Sequence, residues 1–195
     1  VEEGAVILDI RSRVLFSAGH IPKSMNAPVT KSFPTSCGWL LPYDQPVYFV
    51  ADGEEQAREA ARDLAFIGID AIEGYFDTAA LHAWGAAHNG LETTTVIDWE
   101  EADQAASQEN AFLLDVRGAG EWTDGHVPSA HRVHLGYLRD RTDEIPRDRP
   151  VLLYCGSGNR SGIAASVLQA EGFSDVRNIE GGMMDRVRRG LPIES

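Results

Sequence analysis

One stretch of this chain is written twice. Leu8–Pro22 and Leu114–Pro128 match without a gap at Leu, Asp, Arg, Gly, His and Pro, at an offset of 106 residues. A repeat of that length is a domain-sized unit, so the sequence predicts one fold made twice. In each copy an apolar run ends in a carboxylate: Ala5–Asp9 and Ala111–Asp115. Gly-His-Ile-Pro follows at 19–22 and Gly-His-Val-Pro at 125–128. Further on, Gln45-Pro46-Val47-Tyr48-Phe49-Val50 lies over Arg149-Pro150-Val151-Leu152-Leu153-Tyr154. A helical pattern comes next in both copies, with Ala57, Ala61, Leu64 and Ile67 on one face of the first and Ile163, Val167 and Leu168 on one face of the second. Both helices run out at Gly plus an apolar residue, Gly68-Ile69 and Gly172-Phe173, a C-cap signal. Further strands are expected through Ala71-Ile72 and Val176–Ile179. Alternating strand and helix calls for an α/β fold in each half, a parallel sheet with helices on both faces. The polar segment Asn89–Thr94 places the boundary near residue 93, giving domains 1–93 and 94–195.

The halves differ at one place. In the second, Tyr154 is followed by Cys155-Gly156-Ser157-Gly158-Asn159-Arg160, and a helical pattern begins at Ser161. A turn of small residues lets successive N–H groups point inward as an anion nest. The helix that follows adds unpaired N–H groups and a partial positive charge. Both favour an anion at the cysteine, as does the guanidinium of Arg160. Most cysteines simply pack like small hydrophobes. Here the apolar run stops before Cys155, so it reads as a nucleophile. In the first half the same place holds Ala51-Asp52-Gly53-Glu54-Glu55-Gln56, with neither thiol nor arginine. That half is expected to be catalytically inactive.

The segment from Cys155 to Arg160 resembles the active-site loop of the rhodanese family of sulfurtransferases, C-x-x-G-x-R, filled by Cys155, Gly158 and Arg160. In the related phosphatases and arsenate reductases the arginine lies one residue further away; four residues intervene here. With Asp-x-Arg and G-H-[IV]-P, the resemblance covers nearly the whole chain as two tandem rhodanese-like domains. It implies Cys155 as catalytic nucleophile and Gly156, Ser157, Gly158, Asn159, Arg160 and Ser161 as the substrate cradle. It also implies a small sulfur-containing anion or persulfide as donor, a thiol acceptor, and no metal or organic cofactor. Phe33–Pro42 (FPTSCGWLLP) is similar to the rhodanese pairs attached to metallo-β-lactamase-like hydrolases and persulfide dioxygenases. This implies a fused or partner hydrolase domain outside the present chain.

The remaining candidates read as structural. Cys37 has no arginine beside it and is expected to be an idle, packed thiol. His20 and His126 occur in both halves, so they are expected to serve the fold, and His82, His88, His131 and His134 show no ligand spacing. Asp9–Arg11 and Asp115–Arg117 suit buried ion pairs. Glu121, whose twin is Leu15, is free to hold Arg160. Arg186, Arg188 and Arg189 read by default as a solvated basic face. The net charge of −13 opposes nucleic acid as a partner. No run reaches the roughly 18 apolar residues of a membrane span. Two cysteines and no signal segment suggest a reducing cytoplasm.

Overall fold

The computed structural model describes residues 4–195. The chain divides into two compact units, Val1–Thr93 and Thr94–Ser195. In the first, short apolar runs form β1 (Val6–Asp9), β2 (Met25–Asn26), β3 (Val47–Val50) and β4 (Ile72–Phe76). All pair parallel in the order β2-β1-β3-β4. The helices are α1 (Arg13–Ala18), α2 (Phe33–Leu40), α3 (Glu54–Ala65) and α4 (Thr78–Ala87). The second unit holds β5 (Thr95–Ile97), α5 (Trp99–Gln108), β6 (Phe112–Asp115), α6 (Ala119–Asp124), β7 (His131–Arg132), β8 (Val151–Tyr154), α7 (Asn159–Ala170), β9 (Val176–Ile179) and α8 (Gly182–Arg188). Its sheet, also parallel, runs β5-β9-β8-β6-β7. The chain leaves β6 toward β7 and returns on the other side as β8. The carboxyl ends of β6 and β8 therefore face a topological switch point, where open parallel sheets place their ligands.

Local chemistry explains where the helices begin and end. Asp98 accepts from the Glu101 N–H at 2.9 Å and Glu101 answers to the Asp98 N–H at 2.9 Å, a reciprocal cap on α5. Gly68 and Gly172 stop α3 and α7 at φ +83° and +85°, values a side chain resists.

Two apolar faces differ from those the sequence predicts. α3 buries Ala57, Ala60 and Leu64 rather than Ala61, and Ile67 lies beyond the helix end. In an alanine-rich helix both three- and four-residue spacings fit, so the phase is poorly fixed by pattern. α7 is buried continuously from Ser161 to Leu168, not along one stripe. Its serines, glycine and alanines let other elements approach from all sides. The segment Phe33–Pro42 contains α2, with Phe33, Ser36, Cys37 and Leu40 buried. Among the described residues no helix is long and apolar enough to cross a membrane.

Both copies share one buried device. Arg117 wraps Asp115 with Nε at 3.0 and 2.9 Å and Nη2 at 2.6 Å, and Nη2 also donates to the Gly125 carbonyl at 2.8 Å. Arg11 repeats this on Asp9, at 3.0, 3.2 and 2.6 Å, and on the Gly19 carbonyl at 3.0 Å. The histidines next to those glycines also match. His20 stacks on Phe16 with ring centroids 3.8 Å apart, and His126 on Trp122 at 3.7 Å. Their Nδ1 atoms hydrogen-bond the carbonyls of the same two residues. Each histidine also pairs its backbone antiparallel with the end of its own unit, at Glu92 and Glu194.

Removing a buried partner leaves a stranded charge, which costs about 3–5 kcal/mol. Urea unfolding of Arg117→Ala and of Arg11→Ala should each show a loss of that order in its own unit. Arg58→Ala, which breaks the exposed Arg58–Glu54 pair, should cost no more than about 0.5 kcal/mol.

Candidate active site

Cys155 stands at the carboxyl end of β8, whose four residues are all buried. Gly158 then adopts φ +93° and caps α7. That left-handed turn folds the loop over the cysteine. The Gly158 N–H donates to Sγ at 3.2 Å, and the Ser161 hydroxyl lies 3.5 Å from Sγ. The Gly158 carbonyl is held outside by the Asn178 amide at 3.3 Å and the Gly162 N–H at 3.1 Å. Cys155 is only 1% exposed, so the sulfur lies at the floor of the cradle rather than at the surface.

What keeps the loop's carbonyls out of that cradle is α8. The Met183 N–H donates to the Cys155 carbonyl at 2.7 Å and the Met184 N–H to the Gly156 carbonyl at 2.9 Å. These N–H groups belong to the first turn of α8, where no intrahelical acceptor exists. Such close docking requires glycine. A Cβ on Gly182 would lie 2.3 Å from the Cys155 oxygen, and its φ is +52°. Trp99, fully buried, fixes the same turn through Nε1 to the Gly182 carbonyl at 2.8 Å. Gly182 and Trp99 are thus site-building residues that the sequence reading passed over. The signal lies in the Gly181-Gly182 pair, but its partner is the Cys155 carbonyl, in a loop 27 residues earlier.

The other loop residues divide by role. Ser157 is exposed and borders a cavity of about 310 Å³ with Gly181, Met184, Asp185 and Arg188. Asn159 is exposed in the first turn of α7. Arg160 turns to the rim, where its Nη1 and Nη2 grip the two Glu121 oxygens at 2.7 Å each. Glu121 also accepts from the Gly118 N–H at 3.3 Å, so it caps α6 and steadies Arg160 together. His134 faces this pair. Burial and the nearby Arg160 and Arg132 lower its pKa, and its Nδ1 accepts from the Gly136 N–H at 3.1 Å.

The basic end of α8 is not a free anion attractor. Arg186 is buried over the Trp99 ring at 4.5 Å and bonds Asp103 at 3.1 Å. Arg188 and Arg189 both pair with Asp185. Cys37 is fully buried, and burial pushes its thiol pKa up. Among the described residues no group of three or more His, Cys, Asp or Glu side chains is placed to hold a metal ion.

The corresponding place in the first unit is built differently. Two residues, Asp52 and Gly53, separate Ala51 from α3, against three between Cys155 and α7. Gly53 is extended rather than left-handed. The Asp52 N–H is taken by Gln56 Oε1 at 2.9 Å, while Gln56 Nε2 reaches the Ile10 carbonyl at 3.4 Å. Asp52, Glu54, Glu55 and Glu59 line the depression outside.

Two measurements check this geometry. Gly182→Ala should destabilise the second unit by about 1–3 kcal/mol in urea unfolding and shift the amide resonances of Gly156–Gly158. The second concerns acidity. Arg160 holds the Glu121 carboxyl below its ordinary range. The folded value lies under the unfolded one, so this contribution to stability is complete above pH ~4.3. It fades as the pH falls through the lowered value. Carboxyl-carbon NMR should show Glu121 titrating low in the wild type and moving up in Arg160→Ala.

Known proteins resemble this chain as follows. A family model described as "Rhodanese-like domain" matches residues 1–85 and 98–187. A protein named sulfurtransferase from Allochromatium vinosum is 39% identical over 98 residues, which is 50% of this chain and 92% of that protein. A thiosulfate sulfurtransferase GlpE from Pseudomonas savastanoi pv. phaseolicola is 34% identical over 82 residues, 42% of this chain and 77% of its own length. The crystal structure of a rhodanese-like domain protein from Staphylococcus aureus is 26% identical and covers 52% of this chain and 100% of that one, at a TM-score of 0.47.

Proposed function

Because the chain belongs to the rhodanese-like domain family in both halves, we propose that its second unit is a sulfurtransferase that carries a sulfane sulfur on Cys155. The observation that carries this reading is the Sγ of Cys155 sitting under the Gly158 N–H and the Ser161 hydroxyl at a strand-to-helix turn. The reaction is ping-pong. The Cys155 thiolate attacks the outer sulfur of thiosulfate or a small persulfide. A new S–S bond forms, and the donor's bond to that sulfur breaks, its electron pair leaving with sulfite or a thiolate. A second thiolate, or cyanide, then attacks the terminal sulfur, and the S–S bond to Cys155 breaks to restore the enzyme thiolate. Electrons balance within the two displacements, so no external oxidant or cofactor enters.

In this reading the cradle binds the terminal sulfur of the persulfide as an oxyanion hole binds oxygen. Gly156, Ser157, Gly158, Asn159, Arg160 and Ser161 surround the incoming group. Glu121 fixes the guanidinium at the rim and cancels part of its charge, which favours a donor held by fit and hydrogen bonds over one drawn by bulk attraction. The first unit, with its loop occupied by Gln56 and ringed by carboxylates, takes no part in the chemistry.

Intact mass after mixing with thiosulfate or glutathione persulfide should rise by one sulfur, about 32 Da, the covalent intermediate of a ping-pong path. Cys155→Ser should abolish both the added mass and transfer to cyanide, and Cys37→Ser should leave both nearly unchanged. A wild-type protein that gains no mass with any donor would instead make the second unit a binding module. Arg160→Ala should raise KM for thiosulfate more than for a neutral-tailed persulfide, in steady-state assays.

A further inference from the structure

A second cavity lies at the other end of the strand that carries the cysteine. Cys155 follows the carboxyl end of β8, whereas Arg149 and Pro150 precede its amino end. Four strand residues, ~13 Å of backbone, separate the two places. The cavity is about 470 Å³, within the size range of small-molecule pockets. Its wall includes Phe112, His131, Arg149, Ser107 and Ser129.

Arg149 is the unusual member. Among the described residues this chain gives it no ion pair and no hydrogen bond, and its Nε is a buried donor without a protein acceptor. Its guanidinium lies 6.0 Å from the centroid of the Phe112 ring, on which His131 also stacks at 4.3 Å. The carboxylate in the wall, Asp103, bonds Arg186 through Oδ1 at 3.1 Å and makes no hydrogen bond to Arg149. In a chain with 30 acidic side chains for 17 basic ones, an arginine left unpaired with a desolvated N–H is out of keeping. That N–H is closed to a ligand as it is to water, so it is the Nη groups of this half-buried side chain that are left to meet one.

The repeat supplies an internal control. Sheet register makes Val6 the first unit's counterpart of Phe112, and Met25 that of His131. The strand that begins after Gln45-Pro46 corresponds to the one that begins after Arg149-Pro150. The backbone roles are the same in both: Val6 N–H donates to the Pro46 carbonyl at 2.8 Å, and Phe112 N–H to the Pro150 carbonyl at 2.7 Å. The left-handed turns match too, at Lys23 and Ser129. The three positions are therefore Val, Met and Gln in the first unit and Phe, His and Arg in the second, while α5, which adds Asp103, Ala106 and Ser107 to the wall, has no counterpart among the described residues of the first.

We propose that this cavity is a binding site for a small molecule bearing an oxyanion, a carboxylate or a phosphate, with an apolar body. The anion accepts from Arg149, with His131 and Ser129 as further polar contacts in the same wall. The apolar body lies against Phe112. The site is separate from the Cys155 cradle and independent of whether that cradle moves sulfur.

The test is an NMR titration of the isotope-labelled full chain with benzoate, phenyl phosphate and inorganic phosphate. The Arg149 Nε–H and Ser129 amide signals should shift together on one saturable curve. Benzoate alone, phosphate alone or both identify the anion class. Arg149→Gln installs the residue the first unit uses, and should weaken the curve by at least about tenfold, the worth of one charge-assisted hydrogen bond. His131→Met, also a first-unit residue, should weaken it too, and carries the test if the other variant does not fold. No saturable shift with any of the three probes, or a curve unchanged in the folded variants, overturns the proposal.

Discussion

A buried carboxylate has to be neutralised, and in this chain that requirement shapes both units. Asp115 and Asp9 end central strands in places with almost no exposure. Each forces the chain to turn back at once so that the arginine two residues on can reach it. The same guanidinium then fixes the carbonyl of the glycine eight residues later. One ion pair thus sets the path from the first crossover helix to the next strand. It also holds open the carboxyl edge of the sheet, where the neighbouring strand delivers Cys155 in one unit and Ala51 in the other. A pair of this kind adds little net stability over an apolar substitute. Its contribution is to specify one path for the turn.

The cradle rests on a second rule, that buried backbone groups must be paired. A loop that turns N–H groups toward a sulfur must turn carbonyls the other way, and those carbonyls need donors. The first turn of α8 has donors to spare, and Gly182 lets it come close enough to give them. The reactive side of the loop and the packed side are therefore one design. The first unit shows what happens without it: a shorter turn, an extended Gly53, and a side chain from Gln56 filling the N–H contact.

The sequence made some of this legible and hid the rest for physical reasons. Apolar runs that stop at Asp9, Asp115 and Tyr154 announce strands, because a parallel strand buried on both faces has no polar interruption. Gly68 and Gly172 announce helix ends through their backbone freedom. Contacts between distant residues are another matter. Arg186 sits on a short basic helix and reads as solvated, yet it covers Trp99, a residue 87 positions earlier. Gly182 reads as one of a glycine pair, with nothing local to say that a carbonyl lies 2.3 Å from its absent Cβ. The burial of α7 on all sides is invisible to periodicity because small residues score as neither face. Glu121 was readable, since a carboxylate replacing Leu15 in a repeated frame asks for a partner.

The antiparallel bridges at His20–Glu92 and His126–Glu194 carry a consequence of their own. The last residues of each unit return to pair with that unit's first crossover, so every unit fastens its own tail. Each sheet likewise draws all of its strands from its own unit. The buried ion pair and the tail bridge recur in both units although the segment Ala51–Gln56 holds neither thiol nor arginine.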